Sequence, residues 1–272
     1  MQHRTRSVFH AAAAVFALTG SLLGQQAPVG YDDTPMQPSG RWRIHDGTRP
    51  QPRVVAPGNI AEMSPAPAPQ DAIVLVGKGD DRSAWQMTDG GAPVTWPMSN
   101  GVLETGKGFI QTRAQFTDVQ LHVEFATPRE VKGDSQGRGN SGVFLLGKFE
   151  IQVLDSYHNR TYPDGQASAM YGQYPPMVNA SRPPGEWQSY DIAFTAPRFT
   201  AAGALDKPAV VTVFHNGVLV HHATPFWGPT AHKKIDPYEP GNAKGPLALQ
   251  DHGNPVRYRN IWIRPLKGYD ES

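Results

Sequence analysis

From Asp71 onward the sequence is a succession of short runs rich in Val, Ile, Leu and aromatic residues, each closed by Gly, Pro, Asn or Asp. Ile73 to Val76, Val119 to Phe125, Ser141 to Leu146, Phe149 to Leu154, Trp187 to Phe194, Ala209 to Phe214, Val218 to His222, Gly245 to His252 and Tyr258 to Ile263 all follow this form. Polar and apolar residues alternate within them, which puts successive side chains on opposite faces of a strand. None carries the 3.6-residue period of a helix. Asn216-Gly217, between two β-branched runs, predicts a type I′ hairpin, because both turn positions need positive φ. The chain has 28 glycines and 26 prolines, a turn-rich composition that fits many short strands. Together these features predict an all-β sandwich or jelly roll of antiparallel sheets.

Composition narrows the function classes. The chain has 272 residues, 39% of them hydrophobic and 10% aromatic, enough to bury a full core in one large domain. Its formal net charge of +1 offers no field for nucleic acid or an acidic membrane. The absence of cysteine excludes a disulfide framework, a thiolate metal site and a cysteine nucleophile.

The first residues read as a targeting segment. His3, Arg4 and Arg6 precede an apolar stretch from Val8 to Leu23, which predicts a signal peptide over 1–26, with an uncleaved anchor as the alternative since no small-x-small triplet stands near Gly24 to Ala27, and an exported, periplasmic or extracellular protein. No later stretch is long enough to span a membrane, so the mature protein is expected to have no membrane span. Residues 27–70 are Pro-rich and poor in aliphatics, and are expected to form an extended linker on the domain surface, with a short docked element at Gly40 to Asp46 as the alternative. The folded domain is expected over 71–267, with a short tail over 268–272.

Alternation also sorts the faces. In Val119 to Phe125 the apolar residues share one side, and Gln120, His122 and Glu124 share the other. In Phe149 to Asp155, Phe149, Ile151 and Val153 point to the core, Glu150 and Gln152 point away, and Asp155 ends the strand. Leu247 and Leu249 oppose Gln250 and His252 if that strand runs through Asp251. Trp187, near Tyr190, Ile192 and Phe194, reads as core. The recurrence of Glu, Gln, His and Arg as polar alternates fits either a solvated outer face or a polar concave groove for carbohydrate.

Six ordered blocks carry a family resemblance. They are Gly139-Asn140-Ser141-Gly142-Val143-Phe144, Phe149 to Asp155, Ala169-Met170-Tyr171-Gly172, Gly185 to Asp191, the Asn216-Gly217 hairpin, and Gly245 to Gly253 with Arg257 to Ile261. Over about Asp71 to Leu266 the chain resembles the 3-keto-disaccharide hydrolase domain family. The resemblance implies a concanavalin A-like jelly roll and cleavage of glycosides already oxidised to a ketone at C3. It departs from the family pattern in a Pro-rich loop, Gln173 to Gly185, and in an insertion, Trp227 to Lys244, that carries His232.

A C3 ketone acidifies the C2 proton, so the reaction needs a base, a stabiliser for the enolate and an acid for the leaving group. Glu150 on its rigid strand is the expected base, although an ion pair with Arg113 or Arg259 is an alternative role. Arg259 is the expected enolate stabiliser, a part that a divalent metal could serve instead, with a surface or salt-bridge arginine as the alternative role. His252 is suited to proton transfer, and Asp155 to an acid, a metal ligand or a turn. Gln152, Gln250, Tyr171, Glu124, Arg113 and Asn140 are the expected contacts to a small carbohydrate substrate. No metal-ligand spacing stands out. Two other readings stay open, a non-catalytic lectin-like module and an ordinary glycoside hydrolase. The latter needs two carboxylates on one face, and Gln152 stands where the second would be.

Overall fold

The structure is a computed structural model that describes residues 29–58, 67–79 and 81–268. The leader read in residues 1–26 lies outside them. Among the described residues the regular elements are β-strands and three short 3₁₀ turns, and no helix is long and apolar enough to cross a membrane.

Two antiparallel sheets face each other. The larger runs, from one edge, through Val218–Pro225, Val210–His215, Gln188–Thr195, Val119–Ala126, Arg257–Pro265, Val102–Glu104 and Met98–Ser99, with Ile73–Val76 also paired to Arg257–Pro265. The smaller is ordered Trp85–Met87, Ile110–Thr112, Ala248–Leu249, Ser141–Leu145 and Phe149–Val153. The chain is therefore a jelly-roll β-sandwich.

The inner faces are the apolar alternates read from the sequence. Leu121, Val123, Phe125, Ile192 and Phe194 of the larger sheet share one buried core with Val143, Leu145, Phe149, Ile151 and Val153 of the smaller. Burial of each such side chain contributes about 1.5–3 kcal/mol. Two tyrosines cross the gap: the Tyr190 hydroxyl donates to the Gln152 carbonyl and the Tyr258 hydroxyl to Ser141 Oγ, both at 2.7 Å. Asn216 and Gly217 both have positive φ and join Val210–His215 to Val218–Pro225, the predicted hairpin.

Three expectations need correction. The Pro-rich segment is more than an extended surface linker over the residues described: within Gly40 to Asp46, the stretch with a docked element as its alternative, Ile44 and His45 are fully buried, and Arg53–Val54 pairs with Val178–Asn179. Proline denies a segment its own core, but it does not prevent docking through side chains and free backbone groups. The strand before Gln250 stops at Leu249. Trp187 lies outside the core, half-buried, with the Arg257 and Arg259 guanidinium groups over its ring at 5.3 and 4.2 Å.

Candidate active site

Phe149–Val153 and Ser141–Leu145 pair so that Glu150 lies opposite Phe144 and Gln152 opposite Gly142. With Val143, Ile151 and Val153 committed to the core, these four point to the outer face of the smaller sheet. That face is roofed rather than wet. Phe149–Val153 is an edge strand, and its outer backbone groups are taken up by two loops. Gln152 N–H donates to the Ala169 carbonyl, Ser168 N–H to the Gln152 carbonyl, and Glu150 N–H to Thr230 Oγ1. Covering the edge in this way removes a pairing hazard and encloses a cavity.

The cavity has a volume of about 420 Å³. Its floor is Glu150, Gln152 and Phe144, and one side is the amide group of Gln136, Asn140 and Gln250, with His252 at the rim. The other side is aromatic, formed by Tyr31, Tyr162 and Tyr171, with Thr230, Ala231 and His232 closing it. Amides and aromatic rings in one cavity suit a sugar, which presents hydroxyls at its edge and C–H groups on its faces.

Glu150 is 4% exposed, and burial pushes its pKa up to about 8 with no opposing contribution. Its carboxylate lies over the Cα of Gly142, where any Cβ would overlap Oε1. A side chain at position 142 would evict it. Gln152 Nε2 donates to Gln136 Oε1 at 2.9 Å and Asn140 Nδ2 to the Gln136 carbonyl at 2.7 Å. The remaining amide oxygens of Gln152, Asn140 and Gln250 are buried without a donor. Leaving such acceptors dry costs about 1–3 kcal/mol each, which a bound hydroxyl would relieve. The Tyr171 hydroxyl is within 2.9 Å of the Tyr162 hydroxyl and 3.2 Å of His232 Nδ1, and burial raises the pKa of both tyrosines.

Of the residues singled out from the sequence, Glu150, Gln152, Asn140, Tyr171, Gln250 and His252 meet at this cavity. The other four are placed elsewhere. Arg259 and Glu124 pair at 2.6 Å on the outer face of the larger sheet, across the sandwich from Glu150. The strand of Arg259 belongs to the larger sheet and Arg259 alternates with the core residue Tyr258, which turns it to that sheet's outer face; the register shift between Arg259 and Trp262, where Asn260 has positive φ, comes after it. Arg113 is exposed and donates to Gln86 Oε1 and the Ser83 carbonyl. Asp155 is buried against Arg138 Nε at 2.7 Å and caps Tyr157 N–H, the turn-forming role among those foreseen. Burial raises its pKa against the opposing pull of Arg138.

Sequence reading did not assign Tyr31, Gln136, Phe144, Tyr162, Thr230 or His232 to the site. Phe144 was legible, since it shares the outward alternation of Gly142 in a hairpin with Glu150. Thr230 is on a two-residue strand and Gln136 in a 3₁₀ turn, both too short to show a period, and the rest sit on loops. Among the described residues no group of three or more His, Asp or Glu is arranged to hold a metal ion.

A sandwich with an amide-and-aromatic cavity on one sheet face defines a carbohydrate-active β-sandwich protein. The model of the 3-keto-alpha-glucoside-1,2-lyase-like domain matches residues 71–264, and the chain belongs to that family. A crystal structure from Parabacteroides distasonis, provisionally designated a glycosyl hydrolase, is 42% identical with a TM-score of 0.70, over 80% of this chain and 93% of that one. A second Parabacteroides distasonis structure with the same provisional designation, 18% identical with a TM-score of 0.53, covers 73% of this chain and 95% of its own and shares the fold. Comparison with curated proteins gives no match.

Proposed function

We propose that this protein cleaves 3-keto-glycosides, by C2 proton abstraction and loss of the C1 oxygen followed by water addition. The observation that carries the reading is Glu150, the one carboxylate among the residues lining the cavity, desolvated and without a cation beside it. A pair of acids flanking the bond, as ordinary glycoside hydrolysis needs, is not supplied by these lining residues. A single strong base is what an acidified C–H bond requires.

In this reading the Glu150 carboxylate takes the C2 proton, and the C–H electron pair forms the C2–C3 enolate. The enolate collapses, restoring the C3 ketone, forming the C1–C2 double bond and breaking the C1–O bond. The departing oxygen takes a proton, and water then adds, hydroxyl to C1 and hydrogen to C2. With Arg259 elsewhere, the Tyr171 hydroxyl and the His252 ring are the cavity groups suited to meet the C3 oxygen and the leaving oxygen. The amide oxygens of Asn140, Gln152 and Gln250 would accept from sugar hydroxyls. The base is active once ionised, so turnover should rise with pH through about 8.

The test is incubation with 3-keto-trehalose, 3-keto-lactose and their unoxidised parents, with and without chelator. Release of monosaccharide from the keto sugars alone is expected. Glu150→Gln should lower that rate by about 10²–10⁴ while leaving sugar binding in place. Binding without turnover in the unaltered protein would make it a lectin-like module and sink the enzymatic reading. The proposal includes export through residues 1–26; N-terminal sequencing of exported material should begin near Ala27, and retention of Met1 in the cytoplasm would refute it.

A further inference from the structure

We infer that residues 29–58, upstream of the family region, are an integral strap of the site, latched on Asp164 and presenting Tyr31 as a ligand-contacting wall of the cavity. The inference rests on the sugar-binding reading above for the nature of the ligand, and on the following geometry for the strap.

Asp164 belongs to the family region and is 1% exposed. Among the described residues the hydrogen bonds to its carboxylate all come from the strap: His45 N–H at 2.9 Å, His45 Nδ1 at 3.2 Å and Gln37 Nε2 at 3.1 Å. A buried carboxylate stripped of its donors is costly, so a domain with Asp164 at this position is built to receive the strap. Gln37 strengthens the latch by donating also to the Gly172 and Gln173 carbonyls, and Arg49 donates to Gln37 Oε1.

The latch adjoins the site on both sides. Gly165, next to Asp164, offers its carbonyl to the Nε2 groups of Gln136 and Gln152, at 2.9 and 3.4 Å, so the turn that holds the strap also holds the amide side of the cavity. On the aromatic side His45 packs against Tyr162, Tyr171 and His232, with ring centroids 4.2, 4.8 and 5.3 Å away. Tyr31 follows at the cavity edge. Its N–H donates to the His45 carbonyl, and Lys233 Nζ sits 3.5 Å from its ring centroid. Tyr31, Gln136 and Tyr162 line both the main cavity and a neighbouring one of about 360 Å³, which makes the Tyr31 ring part of the partition between them. Residues 71–272 are about three quarters of the chain, so the match to the 42% identical structure, over 80% of it, reaches back before Asp71.

Titration of 3-keto-trehalose into full-length Glu150→Gln protein, with and without Tyr31→Ala or Tyr31→Phe, tests the wall. Tyr31→Ala should weaken binding about fivefold and Tyr31→Phe less than about twofold, since the ring face makes the contact. In the otherwise unaltered enzyme Tyr31→Ala should raise KM with little change in kcat. Equal binding by Tyr31→Ala and its parent overturns the wall while the proposed reaction stands. Hydrogen exchange tests the strap without sugar. Amides of 31–46 should be protected in the full chain, and Gln37→Ala should release them while the sheet amides stay protected. Free exchange of 31–46 in the unaltered protein overturns the strap whatever the protein binds.

Discussion

Glu124 and Glu150 are both outward-pointing carboxylates on strands whose alternate residues build the same core, one on each sheet, and both are buried. Their surroundings are opposite. Glu124 pairs with Arg259 Nε at 2.6 Å and accepts from Asn260 Nδ2 at 2.8 Å, with His122 Nε2 at 3.5 Å. Burial alone would raise its pKa, but the hydrogen bonds from His122, Asn260 and Arg259 outweigh that and leave it below the ordinary carboxylate value. His122 in turn stacks on Trp262 and meets Asp191 Oδ1 at 2.6 Å; burial pulls its pKa down, yet Asp191 and Glu124 lift it to about 9. Glu150 has burial and no such partners. A neutralised buried charge holds a sheet face together, whereas an uncompensated one weakens the fold and leaves a strong base facing a cavity.

The largest effect should come from breaking the neutralised site. Glu124→Gln removes the negative charge that Arg259 and His122 share, and should cost about 2–4 kcal/mol of stability by denaturant titration. Activity of the molecules that remain folded should be preserved, and a loss of turnover without a loss of stability would mean that the two faces are not separate. Gly142→Ala should disturb only the other face. Its Cβ would overlap Glu150 Oε1, so turnover of 3-keto-trehalose should fall about tenfold, with a smaller loss of stability. Unchanged turnover would show that the position of the Glu150 carboxylate is not critical.

A further contrast is in pH dependence. The Glu150 pKa is raised on folding from 4.5 to about 8, so the folded state holds its proton more tightly. The residue costs nothing below pH 4.5, costs progressively more as pH rises to 8, and costs a constant amount above. Glu150→Gln should therefore raise Tm at pH 8 and above and not at pH 4. His122, raised from 6.5 to about 9, contributes stability that is complete below pH 6.5 and lost as pH rises through 9, a slope that His122→Gln should remove. Thermal melts across this range separate the two. A Tm gain for Glu150→Gln equal at both ends would contradict the desolvated carboxylate.

The site was legible in two ways: Asn140, Tyr171, Gln250 and His252, which lie outside strands, through the ordered family blocks, and Glu150 and Gln152 through their strand. Period-two alternation placed Glu150 and Gln152 outward from Phe149, Ile151 and Val153, and the same rule would have added Phe144. Arg259 was misplaced because its strand joins the larger sheet, so its outward face lies across the sandwich from Glu150, and alternation within a strand does not say which sheet that strand joins. The rule was silent on Tyr31, Tyr162 and His232, whose loops are ordered by long-range hydrogen bonds such as those from His45 and Gln37 to Asp164.

The amino-acid sequence by itself determined the strands, the Asn216-Gly217 turn, the faces of most strands and the family, because these follow from local periodicity, local turn sterics and ordered blocks of residues. Only the tertiary structure decided which outward face is roofed, which carboxylate has a cation beside it, and that a Pro-rich stretch packs against the domain. Those outcomes depend on desolvation and pairing between residues up to more than a hundred positions apart, as for Gln37 and Asp164, and no local pattern encodes them.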